Sequence, residues 1–414
     1  MIAVKEKISI EEFDGKNYQI KLIEPYDKAL ITHYLHNYRN GVSKHYKKDA
    51  LKILNKFVHY KQVEEKVNIA AEDALQQLLF EVENVPFPTP KNYTFKFIDL
   101  FAGIGGFRLA MQNVGGKCVF TSEWDISAQK TYRENFGEIP FGDITKKRVK
   151  NYIPQEFEVL CAGFPCQAFS IAGNQKGFAD TRGTLFFDIE QIVEKYRPKV
   201  VFLENVKNLV SHDNGNTFKT IISILEDKLG YKVFTKILNS MTHANVPQNR
   251  ERIFIVAFDP NQVVNYVNFK FPSEIKLTKT IHDILEKGKQ ADNLYYQKGH
   301  QYYPELEKAM VSKDTVYQWR RVYARENKSN VCPTLTANMG TGGHNVPLIK
   351  DDYGFRKLTP RECFNLQGFP KEYKLPQDVG LSQLYKQAGN SVTVEMIGVL
   401  AKMIKEALDT KYAK

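Results

Sequence analysis

The feature that most constrains the fold is an alternation of short apolar runs with helical patterns, which begins near residue 95. Strands that alternate with helices are typical of βαβ units, in which helices cover the faces of a largely parallel sheet. The sequence therefore predicts a doubly wound α/β domain. The runs predicted to be strands are Phe95–Leu100, Lys117–Ser122, Glu158–Ala162, Val200–Glu204, Lys232–Leu238 and Arg252–Phe258.

A change of texture near residue 90 predicts a domain boundary. The segment Val85–Pro90 contains three prolines, which cannot continue a helix and favour an extended linker. Before it, apolar residues recur at helical spacing over Lys48–Val67 and Ala70–Glu83. We therefore predict a mainly helical extension over residues 1–94.

A second change of texture follows Pro260, where the alternation gives way to a long polar and aromatic stretch. A helical pattern returns at Val394–Leu408, which can pack back on the first sheet. A chain of 414 residues is long enough for several folding units, each with its own core. We predict a main domain over residues 95–275, completed by 385–414, and a smaller domain over 276–384.

Composition argues against several classes of protein. The net charge of +11 suits a polyanionic partner, and the excess lies outside residues 1–90, which hold 13 basic and 13 acidic residues. Five cysteines without a Cys-x-x-Cys pair or a neighbouring histidine cluster indicate neither a disulfide framework nor a metal site. Charged residues near the start interrupt any signal peptide, and no apolar run is long enough to span a membrane. We expect a reducing, cytoplasmic location and no membrane partner.

The glycine-rich segment Phe97–Phe107 reads as a strand, a tight turn and the start of a helix. Such a turn can wrap a ligand beside the helix N-terminus, because glycine permits positive φ and close backbone approach. A dinucleotide fingerprint that starts at Gly103 would need a glycine where Arg108 stands, which disfavours a nicotinamide cofactor. The alternative is a plain strand-to-helix turn.

Acidic and aromatic residues after the next strands refine that expectation. Glu123 ends the second strand, where a carboxylate can accept hydrogen bonds from ribose hydroxyls, and Trp124 can stack on an adenine. Asp143, in the following segment, can accept from the adenine amino group. The predicted ligand is a nucleoside cofactor without pyrophosphate, S-adenosylmethionine.

Cys166 follows Pro165 just after the third predicted strand, at the carboxyl edge where open α/β sheets place ligands. The alternative is a small buried hydrophobic residue, as most free cysteines are. The polar, glycine-rich segment Ala172–Gly183 that follows reads as a loop that closes over substrate.

A carboxylate and two arginines complete the candidate chemistry. Glu204 ends the fourth strand at the same edge, and Arg250 and Arg252 precede and begin the last one. A thiol, an acid and guanidinium donors are the parts needed to attack and activate an electron-poor ring. Each residue alone could equally be a strand-end acid or a solvated charge run.

Together these segments resemble the DNA C5-cytosine methyltransferase family, in the family's order and from about Phe95 to the C-terminus. The resemblance implies a Rossmann-like S-adenosylmethionine-dependent methyltransferase sheet with a target-recognition domain, and it leaves residues 1–94 as an extension. The blocks that carry it are Asp99–Gly106, Pro165–Gln167, Glu204–Val206, Gln248–Arg252, Arg356–Cys363 and Gln387–Val392.

Carried onto this chain, the resemblance implies covalent catalysis on cytosine. Cys166 would add to carbon 6 of the ring, and Glu204 would hold or protonate N3, so that carbon 5 can take the methyl group. Arg250 would orient the base and support its carbonyl, with Arg252 nearby. Because neither face of a stacked cytosine is open to a thiolate, the base would flip out of the duplex.

The resemblance also implies positions for the cofactor and for DNA. The cofactor would be held by Asp99, Phe101, Ala102, Gly103, Ile104, Gly105, Gly106, Glu123, Trp124, Asp143, Ile144, Pro165, Asn390, Ser391 and Val392. DNA would be contacted by Ser170, Arg182, Arg320, Arg321, Thr334, Leu335, Thr341, Gly342 and Gly343.

These expectations imply a site-specific modification enzyme that acts as a monomer on double-stranded DNA, with a cognate restriction endonuclease as its functional partner. A tRNA cytosine-5 methyltransferase of the same fold and a catalytically idle DNA-binding homologue stay open as alternatives. The Thr334–Ala337 signature in a long second domain disfavours the first, and the presence of Cys166, Glu204 and Arg250 disfavours the second.

For residues 1–94 a packing role is preferred to repression of an operon, because the segment shows no clear helix-turn-helix pattern.

Overall fold

The computed structural model describes residues 7–13, 17–22, 25–38, 41–64, 82–165, 185–341 and 345–409. The strands within them are β1 Lys7–Phe13, β2 Asn17–Leu22, β3 Phe95–Leu100, β4 Gly116–Ser122, β5 Val159–Gly163, β6 Val200–Val206, β7 Lys232–Asn239, β8 Gln248–Asn249, β9 Glu251–Phe258, β10 Tyr317–Arg320, β11 Tyr323–Glu326, β12 Cys332–Pro333, β13 Leu348–Asp351 and β14 Gly354–Lys357.

The helices come between these strands and after them. They are α1 Pro25–His36, α2 Ser43–Glu64, α3 Gly106–Asn113, α4 Ile126–Phe136, α5 Lys147–Lys150, α6 Leu185–Tyr196, α7 Asn216–Ser223, α8 Ser240–His243, α9 Tyr303–Ala309, α10 Pro360–Leu366, α11 Leu381–Asn390 and α12 Val394–Leu408.

The centre of the fold is a sheet in which the described strands follow the order β4, β3, β5, β6, β9, β7. The four strands from β4 to β6 are parallel, whereas β9 runs antiparallel to both β6 and β7. All the strands predicted for the main domain are confirmed, with ends that differ by two residues or fewer. Apolar runs predict these strands correctly, because the central strands of the sheet are buried on both faces and therefore consist largely of apolar residues.

Helices cover both faces of this sheet, which confirms the doubly wound α/β fold. On one face Phe97 and Phe202 share a core with α3, α10, α11 and α12. On the other face Leu100 and Leu203 share a core with α1, α2, α6 and α7. The C-terminal helix predicted over Val394–Leu408 is confirmed and lies in the first of these cores.

Local sequence signals fix where two helices of the main domain begin. Asp125 precedes α4, and its carboxylate accepts hydrogen bonds from the backbone N–H groups of Ser127 and Ala128. Thr359 and Glu362 form a reciprocal capping box at the start of α10. Side-chain caps of this kind satisfy N–H groups that a helix leaves without partners at its N-terminus.

A second, smaller sheet has the strand order β11, β10, β13, β14. Its own core includes Leu306, Tyr317, Leu348 and Phe355. The helices α10 and α11 that follow pack in the core of the main sheet instead. The limit proposed at residue 384 stays a prediction, and the core of the small sheet spans 296–355.

In the described part of the N-terminal extension, more residues lie in the helices α1 and α2 than in the strands β1 and β2. β1 and β2 form an antiparallel hairpin that the sequence analysis did not predict. Alternating apolar residues on both sides of Asp14-Gly15 were the available signal, because Asp-Gly favours a tight hairpin turn. The helix predicted over Lys48–Val67 corresponds to α2, whereas most of the helix predicted over Ala70–Glu83 lies outside the described residues.

Gly389 in α11 generates a stability prediction, because it lies against the backbone of Thr336. A Cβ added at Gly389 would come within 2.2 Å of the Thr336 carbonyl group, whereas nothing lies within 4 Å of one added at Gly398 in α12. We expect Gly389→Ala to lower the free energy of unfolding by about 1–3 kcal/mol through overpacking. Gly398→Ala, the matched control, should raise it by about 0.5–1 kcal/mol. Urea unfolding would measure both, and equal stability of the two variants would contradict the close packing.

Candidate active site

The candidate site lies where β3, β4, β5 and β6 end at the same edge of the sheet. These strands are parallel, so their carboxyl ends meet there. Open α/β sheets bind ligands at this edge. The residues that follow each strand are therefore the ones to consider.

The turn after β3 is fixed by hydrogen bonds to the end of β4. The backbone N–H of Ala102 donates to the Ser122 carbonyl at 2.9 Å, and that of Gly103 donates to Glu123 Oε2 at 2.7 Å. Phe101, Gly103 and Gly105 all have positive φ, which is uncommon for a phenylalanine. Strained backbone of this kind is concentrated at functional sites.

Glu123 is held in one orientation by backbone donors. Besides the bond from Gly103, its Oε1 accepts from the N–H of Asp125 at 2.8 Å. Burial raises the pKa of Glu123, and these N–H groups act in the opposite direction. Trp124, next in the chain, is 79% exposed, so its ring is available to a ligand.

A short parallel bridge places the next candidate residues beside β4. Phe141 pairs with Ser122, and the chain then continues to Asp143 and Ile144. Asp143 is partly exposed, and its Oδ1 accepts from the backbone N–H of Thr145 at 2.9 Å. Ile144 is buried, so it contributes shape rather than a polar contact.

Two buried polar groups at this edge have no hydrogen-bond partner among the described residues. They are both carboxyl oxygens of Asp99 near the end of β3 and the hydroxyl of Ser122 at the end of β4. Burial raises the pKa of Asp99 well above its usual range, with Arg108 acting in the opposite direction. Buried polar groups without partners are costly, so this edge suits a polar ligand.

The start of α3 lies against the segment between α11 and α12. A Cβ at Gly106 would come within 2.7 Å of the Val392 side chain and 3.2 Å of Ser391 Oγ. Val392 and Ser391 are buried, and Asn390 beside them is exposed. The predicted cofactor residues of the N-terminal and C-terminal blocks are thus brought together, and a side chain on Gly106 would separate them.

The segment that leads to Cys166 is tied to the next strand. Asn205 Nδ2 donates to the carbonyl of Phe164 at 2.8 Å. Pro165 follows and is exposed, and Cys166 itself lies outside the described residues. Asn205 belongs to the Glu204–Val206 block, but no role was predicted for it from the sequence. Its amide beside a strand-end acid is the sequence feature that could have indicated one.

Glu204 forms an ion pair with Arg252 across adjacent strands. Arg252 Nε lies 3.0 Å from Glu204 Oε1, and both side chains are largely buried. The other carboxylate oxygen lies 3.8 Å from the position of a Cβ on Gly163. Glu204 therefore lies beside the strand that leads to Cys166, and the ion pair with Arg252 holds it there.

Arg250 is buried, and its terminal nitrogens donate to three backbone carbonyls. Its Nη1 donates to the Leu335 carbonyl at 2.9 Å, and its Nη2 donates to the carbonyls of Ser391 at 2.6 Å and Gly389 at 3.3 Å. Burial and the neighbouring Arg252 lower the pKa of Arg250 to about 9, so it stays charged at pH 7. The structure places Arg252, not the terminal nitrogens of Arg250, beside Glu204.

Gln248 strengthens the same junction and was assigned no role from sequence. Its Oε1 accepts from the backbone N–H of Leu335 at 3.1 Å, and its Nε2 donates to the Leu366 carbonyl at 2.8 Å. β8, which contains Gln248, also pairs with β12 of the second region. The segment before β9 and the segment Cys332–Leu335 are therefore joined by backbone and side-chain hydrogen bonds.

Leu335 was predicted to contact DNA, and its position corrects that prediction. Its side chain is fully buried in the main core, so it is not available to a ligand. Thr334 beside it is partly exposed, and its Oγ1 donates to the Asn249 carbonyl at 2.7 Å. Leu335 thus anchors the segment that presents Thr334.

A polar cleft of about 720 Å³ opens beside this segment. On one wall, Gln318 Oε1 accepts from Arg320 Nη2 at 3.2 Å and from Arg325 Nη2 at 3.5 Å. The residues that line the cleft are Asn249, Gln318, Trp319, Arg320, Arg325, Asn327, Pro333, Thr334, Thr336, Ala337, Asn338 and Asn345.

The remaining DNA-contact predictions fall in two groups. Arg321, at the tip of the β10–β11 hairpin with φ 55°, and Thr341 are exposed and do not line the cleft. The others lie outside the described residues, namely Ser170, Arg182, Gly342 and Gly343.

The described part of the chain contains no cluster of three or more His, Cys, Asp or Glu side chains that could hold a metal ion. None of its helices is long and apolar enough to cross a membrane.

Comparisons with known proteins agree with this geometry. A family profile described as C-5 cytosine-specific DNA methylase matches residues 95–406. The chain is 49% identical over 314 residues to Type II methyltransferase M.Bsp6I of Bacillus sp., a match that covers 75% of this chain and 98% of that protein. It is 45% identical over 359 residues to Type II methyltransferase M.HpaII of Haemophilus parainfluenzae, covering 83% and 98%.

Solved structures of related shape support the fold alone. The S. pombe Dnmt2 methyltransferase has a TM-score of 0.58 and 18% identity, over 76% of this chain and all of that one (100%). A mutant of DNMT2 from Spodoptera frugiperda has a TM-score of 0.57, with the same identity of 18% and coverage of 76% and 100%.

The two arginines should respond differently to substitution by lysine. Arg250→Lys loses a fork that reaches three carbonyls, so we expect the free energy of unfolding to fall by about 2–4 kcal/mol. Arg252→Lys, the matched control, keeps a positive charge beside Glu204 and loses one hydrogen bond to the Glu251 carbonyl, so it should lower the free energy of unfolding by about 0.5–1.5 kcal/mol. Urea unfolding of both variants would test this difference, and a larger loss for Arg252→Lys would refute it.

Proposed function

Because the chain belongs to the C-5 cytosine-specific DNA methylase family and is therefore a DNA cytosine-5 methyltransferase, we propose that it methylates one short duplex site and protects it from a cognate restriction endonuclease. The observation that carries this proposal is the Glu204–Arg252 pair, fixed beside the strand that leads to Cys166. Type II methyltransferases among the relatives support the restriction-modification context.

The residues at the carboxyl edge fit S-adenosylmethionine. The carboxylate of Glu123 suits ribose hydroxyls, and the exposed ring of Trp124 suits an adenine. The buried, unpartnered carboxyl of Asp99 suits a ligand that carries hydrogen-bond donors. Asp143 can accept from the adenine amino group, and the turn Phe101–Gly106 would pack against the cofactor. When bound, S-adenosylmethionine supplies an electrophilic methyl group.

The remaining proposed cofactor contacts come from the C-terminal block, from the segment after the Ser122–Phe141 bridge, and from the residues that follow β5. Ile144 and Val392 offer apolar surface, and Ser391 and Asn390 lie beside the start of α3. Pro165 is exposed where the chain turns away from β5. This arrangement would keep water from one side of the transferred group.

The chain's own residues would activate the cytosine ring. Attack by the Cys166 thiolate forms a sulfur–carbon bond at carbon 6, and the electron pair of the ring double bond moves toward carbon 5 and N3. Glu204 would hold a proton at N3, and Arg252 would hold Glu204 in position. When carbon 5 takes the methyl group, S-adenosylhomocysteine is the leaving group. Water then takes the proton from carbon 5, that electron pair restores the ring double bond, the sulfur–carbon bond breaks, and the thiolate is released.

Access to the ring requires that cytosine leave the duplex. An extruded base costs a few kcal/mol of stacking and pairing. Arg320 and Arg325 line a polar cleft together with Asn249 and Thr334. Asn249 directly precedes Arg250 in the chain, so the cleft lies close to the candidate active site. The proposed DNA interface consists of this cleft and of residues outside its lining. These further residues are Arg321, Thr341, Ser170, Arg182, Gly342 and Gly343.

Base-resolution bisulfite sequencing tests the proposal. A plasmid from a methylation-deficient host that expresses this protein should carry protected cytosines within one short motif. Cys166→Ser should abolish that protection, because a hydroxyl is a far weaker nucleophile than a thiolate, while S-adenosylmethionine binding measured by calorimetry stays unchanged.

The controls separate the alternatives. Arg252→Lys, expected to fold normally, should retain some protection if Glu204 is still held. No protected cytosine with soluble wild-type protein would reject the proposal, and methyl transfer to tRNA in the same extract would favour an RNA substrate. Full activity of Cys166→Ser would overturn the covalent mechanism.

Sequence reading by the cleft gives a separate prediction. Gln318 holds Arg320 and Arg325 together, and arginine pairs bidentately with guanine, which is worth about 1–3 kcal/mol of discrimination against a wrong base. We expect Arg320→Ala or Arg325→Ala to relax the methylated motif at a guanine position in sequencing of protected sites. Lys313→Ala, which removes an exposed ion pair with Asp352 in the loops beside the same small sheet, should leave the motif unchanged. A uniform loss of methylation with an intact motif would indicate phosphate contacts instead.

A further inference from the structure

The N-terminal segment covers the outer edge of the main sheet at β4. β4 is the last strand on that side, so the N–H and C=O groups on its outer edge need partners from elsewhere. The family match begins at residue 95, so α1 and α2 lie outside it. Their contacts with β4 are nevertheless specific.

Two side chains of these helices form hydrogen bonds to the outer edge of β4, where a neighbouring strand would otherwise bond. The Tyr46 hydroxyl donates to the Val119 carbonyl at 2.8 Å, and the backbone N–H of Thr121 donates to His33 Nε2 at 3.0 Å. Farther along the same edge, Phe141 accepts from the N–H of Glu123 and donates to the Thr121 carbonyl. The outer edge is thus satisfied from Val119 to Glu123.

The geometry fixes the protonation state of His33. A backbone N–H can only donate, so Nε2 must accept from Thr121, and Nδ1 carries the proton that it donates to the Ala29 carbonyl at 2.8 Å. Burial lowers the pKa of His33, which keeps the ring neutral. The approach of Nε2 to Glu138 at 3.5 Å is therefore not an ion pair.

Glu138 connects this edge to α3. Its Oε1 accepts from Thr121 Oγ1 at 2.9 Å and from Arg108 Nη1 at 2.7 Å, and all three residues are fully buried. Arg108 also donates to the Tyr132 hydroxyl at 2.9 Å and to Thr89 Oγ1 at 3.3 Å. Thr89 in turn contacts His36 Nδ1 at 2.5 Å, so the cluster returns to α1.

Three catalytic-domain members of this cluster lie close in sequence to proposed cofactor residues. Thr121 is two residues before Glu123, Arg108 is two residues after Gly106, and Glu138 begins the segment that reaches Asp143. A shift of Thr121 would move the end of β4, which also holds the glycine-rich turn through Ala102 and Gly103. The cofactor-binding backbone therefore depends on a partner supplied by α1.

We propose that His33 is a positioning residue for S-adenosylmethionine binding, acting through Thr121 and the end of β4. The inference rests on the cofactor assigned under the proposed function. It gives a residue of α1, which lies outside the family match, a role in cofactor binding.

Calorimetric titration of the full-length protein with S-adenosylmethionine tests the inference. His33→Leu removes the acceptor from Thr121, so the dissociation constant should rise by about tenfold, equivalent to about 1.4 kcal/mol. His33→Gln places a carbonyl oxygen near the position of Nε2, and it should restore affinity close to that of the wild type. If His33→Leu does not fold, His33→Asn, which withdraws the acceptor but stays polar, takes its place with the same expectation.

Tyr46→Phe is the matched control. It removes one hydrogen bond from the same edge strand at Val119, farther from Glu123, so it should lower the unfolding temperature without weakening cofactor binding. An unchanged dissociation constant in a folded His33→Leu or His33→Asn protein would overturn the inference and leave the proposed function intact. Failure of the wild type to bind S-adenosylmethionine would instead reject the proposed cofactor.

Discussion

The site depends on one buried guanidinium, that of Arg250. It immediately precedes β9 and donates to the Leu335 carbonyl, beside β12, and to the carbonyls of Gly389 and Ser391 in the C-terminal block. These segments are far apart in sequence, and a buried charge is tolerated only because several carbonyls surround it. With Arg250 in place, the neighbouring Arg252 is free to hold Glu204. Arg250 therefore joins the segments around the site, and Arg252 pairs with Glu204.

The part of the fold that sequence predicts is the part encoded by local pattern. Each central strand is a short apolar run because it is buried on both faces, so β3 to β7 and β9 could be located to within two residues. The order of acid, cysteine and glycine motifs then places Glu123, Glu204 and the residues before Cys166 at one edge. Parallel strands have their carboxyl ends together, so this grouping follows from topology alone.

The rest depends on contacts between residues distant in the chain, which no local pattern encodes. Arg250 and Arg252 are two apart and chemically identical, so spacing cannot tell which one pairs with Glu204. Leu335 belongs to a motif with polar neighbours, yet its side chain is needed in the core. Asn205 acts through the Phe164 carbonyl, a partner that only the paired strands bring close.

The start of the family match at residue 95 is not a boundary of the folded unit. The carboxylate of Glu138 is fully buried, and although burial alone would raise its pKa, the Arg108 guanidinium holds that pKa below its usual range. A buried ion pair adds little net stability over apolar packing, but it requires one particular arrangement of its neighbours. Here that arrangement includes Thr121 and, through it, His33 of α1. The extension and the catalytic sheet are therefore coupled by a polar cluster whose geometry would be lost if either part moved.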